Sequence, residues 1–114
     1  MLSQQNQTCL DACLACATEC DQCLDACLSE SDLKMMIDCI RLDRDCAKIC
    51  YTAASFIASN SPHAADVCKV CAHICEACAA ECEKHSHMEH CKKCAAACRA
   101  CAEECKKMAV HANV

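Results

Sequence analysis

A chain of 114 residues with 19 Cys, a single Pro (Pro62) and no Gly holds one small core and not two. It lacks the residue on which left-handed turns, bulges and phosphate-cradling loops depend, which excludes hairpin-rich β folds, Rossmann units and P-loops together. A net charge of −5, with Tyr51 and Phe56 as the only aromatics, argues against a nucleic-acid surface.

The chain opens MLSQQNQTC, with neither the basic start nor the apolar stretch of a secretory signal. No apolar run reaches membrane-spanning length. The expected location is therefore the cytoplasm, where thiols stay reduced. An odd cysteine count at helical spacing also argues against a disulfide framework.

Ala, Leu, Glu and Lys favour helix throughout. A first helix is expected over residues 3–28, carrying Cys9, Cys13, Cys16, Cys20, Cys23 and Cys27. Their alternating steps of four and three form the inward seam of a bundle helix, with cysteine where Leu and Ile ordinarily sit. Leu10, Leu14, Leu24 and Leu28 lie on a second face, suited to a neighbouring helix or to an interface between copies. Ser29-Glu30-Ser31-Asp32 then offers N-cap candidates for a second helix over 31–59. That helix carries only Cys39, Cys46 and Cys50, on a seam running from Met36 through Ala53 to Ile57 with Phe56 beside it.

Asn60-Ser61-Pro62 is the clearest break, with Ser61 as cap and Pro62 at the first helical position. A third helix over 62–84 carries Cys68, Cys71, Cys75, Cys78 and Cys82. Ser86 and Glu89 have capping-box spacing and open a fourth helix over 87–108 with Cys91, Cys94, Cys98, Cys101 and Cys105. The runs VCKVCAHICEACAAEC from Val67 and HCKKCAAACRACAEEC from His90 are similar outside their cysteines too, as an internal duplication would leave them. The expected fold is all-α: short connections make sequential helices antiparallel, an up-down-up-down four-helix bundle with a Cys-lined core, one domain over residues 1–114. Such packing collects Leu2, Phe56 and Ile57 at one end and Met35, Met36, His85, His87, Met88 and His90 at the other.

Residues three and four apart on a helix place their Cβ atoms about 5–6 Å apart, so their thiolates can clamp a soft ion without distorting the backbone. Thiolate selects copper(I), zinc or iron–sulfur clusters. The iron–sulfur signature, a Cys-x2-Cys-x2-Cys-x3-Cys-Pro loop, is missing from this sequence. Zinc needs four converging ligands, which pairs from neighbouring helices can supply. Charge favours copper. A zinc tetrathiolate carries −2, and several stacked in one core bury repeated net charge. One copper(I) per bridging thiolate leaves the core neutral, with a ceiling on the order of 19 ions. So long an array suits storage. No Ser/His/Asp set or cofactor cradle stands out for an enzyme, and thioredoxin-type Cys-x-x-Cys chemistry belongs to a βαβ context.

The repeated Cys-x-x-x-Cys and Cys-x-x-Cys runs on four Gly-free helices resemble the bacterial copper storage proteins, specifically their cytosolic, leaderless branch, over nearly the whole chain. The resemblance implies a bundle filled with copper(I)–thiolate bonds, often assembled as a tetramer. It also implies metal ligation by Cys9 through Cys27, Cys39, Cys46, Cys50, Cys68 through Cys82 and Cys91 through Cys105. Helix two departs from a full run. The alternative is a metallothionein-like zinc–thiolate store. Expected partners are copper ions, further copies of the chain and a copper chaperone as donor, with no nucleic acid and no membrane. At the Met/His end, Met36, His87 and His90 are expected to pass copper inward, since thioether and imidazole are weaker copper ligands than thiolate. Met108 carries the helix-four seam to the opposite end, and His63, His73 and His111 read as surface residues.

Overall fold

The structure, a computed structural model, describes residues 1–111, the side chain of His111 excepted. Its elements are α1 (Gln4–Leu28), α2 (Leu33–Ala58), α3 (Ala64–Glu83) and α4 (Glu89–His111). Ser3 caps α1, its Oγ accepting from the Asn6 N–H at 3.1 Å. Of the four candidates before α2, Asp32 is the cap and accepts from the Met35 N–H at 3.3 Å. Each side chain satisfies one of the N–H groups that a helix start leaves unpaired.

The end of α2 shows how a Gly-free chain stops a helix. Asn60 takes a left-handed φ of 54°. The Asn60 N–H bonds the Ile57 carbonyl and the Ser61 N–H bonds the Phe56 carbonyl, both at 3.0 Å. This is a Schellman closure with Asn in the place usually held by Gly. Two expected boundaries are corrected here. Pro62 lies in the turn before α3, which begins two residues later at Ala64, because Ser61 spends its hydroxyl on the His63 N–H within that turn. Helix four begins at Glu89. The chain first turns through His85 to Met88, whose carbonyl receives the Lys92 N–H, so Ser86 and Glu89 are out of capping-box register.

Each helix packs on its two sequence-cyclic neighbours, α1 on α2 and α4, α3 on α2 and α4. Among the described residues the backbones of diagonal helices do not approach one another, so they meet only through side chains at the axis. The result is a square, narrow bundle of 47 × 20 × 18 Å. Surface charge alternates around the square. α1 carries Asp11, Glu19, Asp21 and Asp25 and no Lys or Arg, and α3 is also acidic on balance. α2 and α4 carry Lys34, Arg41, Arg44, Lys48, Lys92, Lys93, Arg99, Lys106 and Lys107. Every helix therefore borders two of opposite sign. Arg99 holds Glu83 through two bonds of 3.0 and 2.8 Å, and Lys106 meets Glu76 at 2.9 Å. Exposed pairs like these add little stability, but like-charged helices sit on the diagonal, where they are farthest apart. No helix is long and apolar enough to cross a membrane among the described residues.

Candidate metal centre

All 19 cysteines are free and buried, with side chains at most 1% exposed. The core otherwise consists of Ala, Met36, Ile57, Met108 and two polar residues, Asp43 and His85. Seam register explains the convergence: successive cysteines on each helix point inward, and sulfur is small enough to meet across the bundle axis. Cys46 on α2 lies 3.9 Å from Cys98 on the diagonal helix α4, and Cys50 lies 3.9 Å from Cys101.

An inner array fills the middle and one end. Cys9 and Cys13 lie 3.9 and 3.8 Å from Cys105, with Cys101 3.7 Å from Cys13. Cys50 contacts Cys71 and Cys75 at 3.7 and 3.6 Å, and Cys46 contacts Cys75 at 3.6 Å. Near the centre, Cys16, Cys20, Cys46 and Cys98 form a four-sulfur group. Its contacts include 4.0 Å between Cys16 and Cys20, 3.7 Å between Cys16 and Cys98, and 3.8 Å between Cys20 and Cys98. Further four-cysteine groups are Cys13/Cys71/Cys101/Cys105, Cys16/Cys46/Cys50/Cys75 and Cys20/Cys78/Cys94/Cys98. Three sulfurs around one ion at about 2.3 Å lie about 4 Å apart, whereas a linear pair spans about 4.6 Å. The sulfur array is therefore spaced for thiolates shared among neighbouring ions.

Asp43 joins this inner array to the thiols at the other end. It is fully buried on the α2 seam. The thiols of Cys78 and Cys94 point at its Oδ1 from 3.3 Å each, with Cys82 at 3.8 Å. Cys39 reaches Oδ2 at 3.8 Å. Burial, then the nearby Cys94 and Cys78 sulfurs, pushes its carboxyl from the ordinary 3.8 up to about 11. The carboxyl is therefore protonated at neutral pH. The same balance runs through the thiols. Burial, then the Cys39 charge, raises the Cys91 thiol, while hydrogen bonding with Cys105 and Cys13 lowers Cys101.

Beyond Asp43 lies the outer group. Cys39 contacts Cys82 at 3.6 Å and Cys27 at 3.8 Å, and Cys23 lies 3.9 Å from Cys27 and 4.0 Å from Cys91. His90 closes it. Its Nδ1 is 3.4 Å from Cys23, 3.5 Å from Cys91 and 4.0 Å from Cys27. These four side chains form a further candidate ligand group. Met36 is fully buried at this end, His87 is exposed, and Met35 is 43% exposed. His85 is buried against Glu81, its Nε2 3.1 Å from Oε2, with its ring 6.4 Å from that of His87. His63 and His73 are exposed; the side chain of His111 lies outside the described residues.

Sequence reasoning passed over Asp43, although its register marks it. The seven-residue step from Cys39 to Cys46 leaves one seam position between them, and Asp43 occupies it. Nothing in the sequence pairs Glu30 with His90, because they are 60 residues apart and meet only through the fold.

The sequence model described as "Csp: Copper storage protein" matches residues 2–110. A protein of Bacillus subtilis strain 168, described as an uncharacterized cysteine-rich protein YhjQ, is 45% identical over 86 residues, covering 75% of this chain and 80% of that one. The structure of the copper(I)-bound copper storage protein BsCsp3 superposes with a TM-score of 0.88 at 45% identity, covering 93% of this chain and 99% of the other. A cytosolic copper storage protein from Streptomyces lividans, solved with five coppers, gives 0.88 at 38% identity, covering 94% and 93%. The S. lividans protein has also been solved loaded with 10 copper equivalents.

Proposed function

The chain belongs to the copper storage protein family and binds several copper(I) ions through the cysteine clusters of its core, without enzymatic activity; on that premise we propose that it takes up on the order of one copper(I) per cysteine. All 19 cysteines, Cys9 through Cys105, serve as ligands in this reading. Asp43 and His90 add one oxygen and one nitrogen ligand where the thiol groups meet them. The carrying observation is the make-up of the core: beside the thiols it buries a carboxyl and one imidazole, and among the described residues no Lys or Arg. A stack of zinc tetrathiolates at −2 each would have no buried cation to offset it. Copper(I) balanced by bridging thiolates needs none.

Copper enters this scheme at the Met/His end, where His87 is exposed and His90 faces the first sulfurs. Met36, near the start of α2, is buried at the same end. A copper chaperone is the fitting donor. The cytoplasm is the fitting compartment, since 19 reduced thiols persist only in a reducing environment, and the S. lividans relative is described as cytosolic. We also propose a tetramer, with the outward face of α1, where Leu14 and Leu28 are 43% and 53% exposed, as one interface.

Anaerobic titration of the reduced chain with copper(I), followed by metal and thiol analysis of the isolated complex, tests the stoichiometry. Uptake should match the cysteine count, with thiol reactivity lost in parallel. Saturation at four or five ions, with zinc displacing copper(I), would instead establish the zinc store.

A further inference from the structure

One contact at the Met/His end joins parts of the chain that helix packing alone does not require to meet. Glu30 lies in the connection between α1 and α2, three residues past Cys27 on the α1 register. Its Oε1 is 3.1 Å from Nε2 of His90, in the first turn of α4. The other ring nitrogen, Nδ1, is the one that faces Cys23, Cys91 and Cys27. The pair is neither sealed nor fully wet, with the two side chains 22% and 32% exposed.

A neutral imidazole carries one proton, and a carboxylate can only accept. With Glu30 against Nε2, the proton belongs on Nε2 and the Nδ1 lone pair is left pointing at three sulfurs. Without Glu30, the proton is free to sit on Nδ1 and donate to a sulfur, which hides the lone pair a soft cation needs. We propose that Glu30 is a positioning residue: it fixes His90 in the Nε2–H form and holds the ring across the mouth, so that Nδ1 is presented to copper(I) arriving at Cys23, Cys27 and Cys91. The proposal rests on His90 acting as a ligand at that mouth. The neighbouring His85–Glu81 pair gives the contrast. That carboxylate comes from the last turn of α3, four residues before His85, so the contact is local and reaches across no gap between elements.

Metal-binding histidines characteristically give their second nitrogen to a carboxylate or carbonyl, and loss of that partner typically lowers metal affinity 10- to 100-fold. The test uses the full-length, reduced, metal-free chain labelled with nitrogen-15, at a pH where imidazoles are neutral. Two-bond nitrogen–proton correlations distinguish the tautomers, and the His90 signals are assigned by their loss in His90→Gln. Wild type should show a pyridine-type Nδ1 and a protonated Nε2. Glu30→Ala should shift both nitrogens toward averaged values. Glu30→Gln, whose amide oxygen still accepts from Nε2–H, should restore the wild-type pattern. Uptake of the first copper(I) equivalents from a competing chelator should weaken about tenfold in Glu30→Ala and recover in Glu30→Gln. Nitrogen shifts unchanged in Glu30→Ala, or a wild-type ring protonated on Nδ1, would overturn the proposal. So would equal weakening in both variants, which would assign the effect to charge and not to position. The shifts are read without metal, so they answer for Glu30 separately from the titration that answers for storage.

Discussion

Asp43 is a carboxylic acid among thiols, and its protonation ties the stability of the empty core to pH. In the unfolded chain it ionises near the ordinary 3.8; in the bundle burial holds the proton up to about 11. Between those values the folded state binds one more proton than the unfolded state, so stability falls as pH rises. The contribution is complete below about pH 4 and is lost steadily toward the alkaline limit, at about 1.4 kcal/mol per pH unit. Asn at this position keeps the shape and cannot titrate. Urea unfolding of the reduced, metal-free chain at pH 5.5 and 7.5 should therefore show wild type losing about 3 kcal/mol more than Asp43→Asn over that interval. Parallel losses would mean that the carboxyl is already ionised in the empty core. The cysteine seam was plain in the sequence because cysteine is conspicuous there. Asp43 was not, because an aspartate on a helix is ordinarily surface charge, and only the 3-4 register argues otherwise. His85 continues the α3 register three residues beyond Cys82 in the same way.

The helices owe their existence to local propensity and their ends to a few polar side chains. Ser3 and Asp32 set two helix starts and Asn60 one helix end, and the break at Asn60 was legible without coordinates. The position of Pro62 was not, since Pro is compatible with either a first helical turn or the turn before it. The Ser61 hydroxyl, which accepts from the His63 N–H inside the turn, goes with the second arrangement. Asn60 holds its left-handed φ of 54° without the freedom of Gly. Replacing it by Ala should destabilise the metal-free bundle by about 1 kcal/mol, because a Cβ without a local hydrogen-bonding group disfavours that region. Asn60→Gly should be neutral or stabilising. Thermal unfolding of the three chains under reducing conditions checks the order; equal midpoints would show that the closure contributes nothing. Alternating helix charge could also be read from the sequence, yet it becomes an argument only once the square arrangement shows which helices are neighbours.

At the scale of the molecule the bundle is polar from end to end. One end presents His87, His90, Glu30 and the outer thiols. The opposite end is floored by Ile57 and Met108 beneath an open depression of about 390 Å³, lined also by Ser3, Gln5, Asn6, Asn60 and Ser61. That far end is wetter than Leu2, Phe56 and Ile57 suggested when taken alone, but the buried Ile57 and Met108 still separate the depression from the innermost sulfurs. An ion starting there has to cross apolar packing before it meets thiolate. On the proposed route an ion at the other end would meet imidazole first, then the outer thiols, then Asp43, then the inner array, whose side chains lie in contact with one another. Ligands weaker than thiolate at the start of such a path let an ion move on instead of trapping it. Replacing Met36, His87 and His90 together by Ala should therefore slow both loading from a chelator and removal by one, while the number of coppers held at saturation changes by no more than the few ions those residues touch. Stopped-flow uptake on the reduced chain measures the rates, and metal analysis of the isolated complex measures the capacity. Wild-type rates in the triple variant, together with faster exchange when Phe56 and Ile57 are made polar, would place the mouth at the far end. The path through Asp43 would then run outward, as an exit and not an approach.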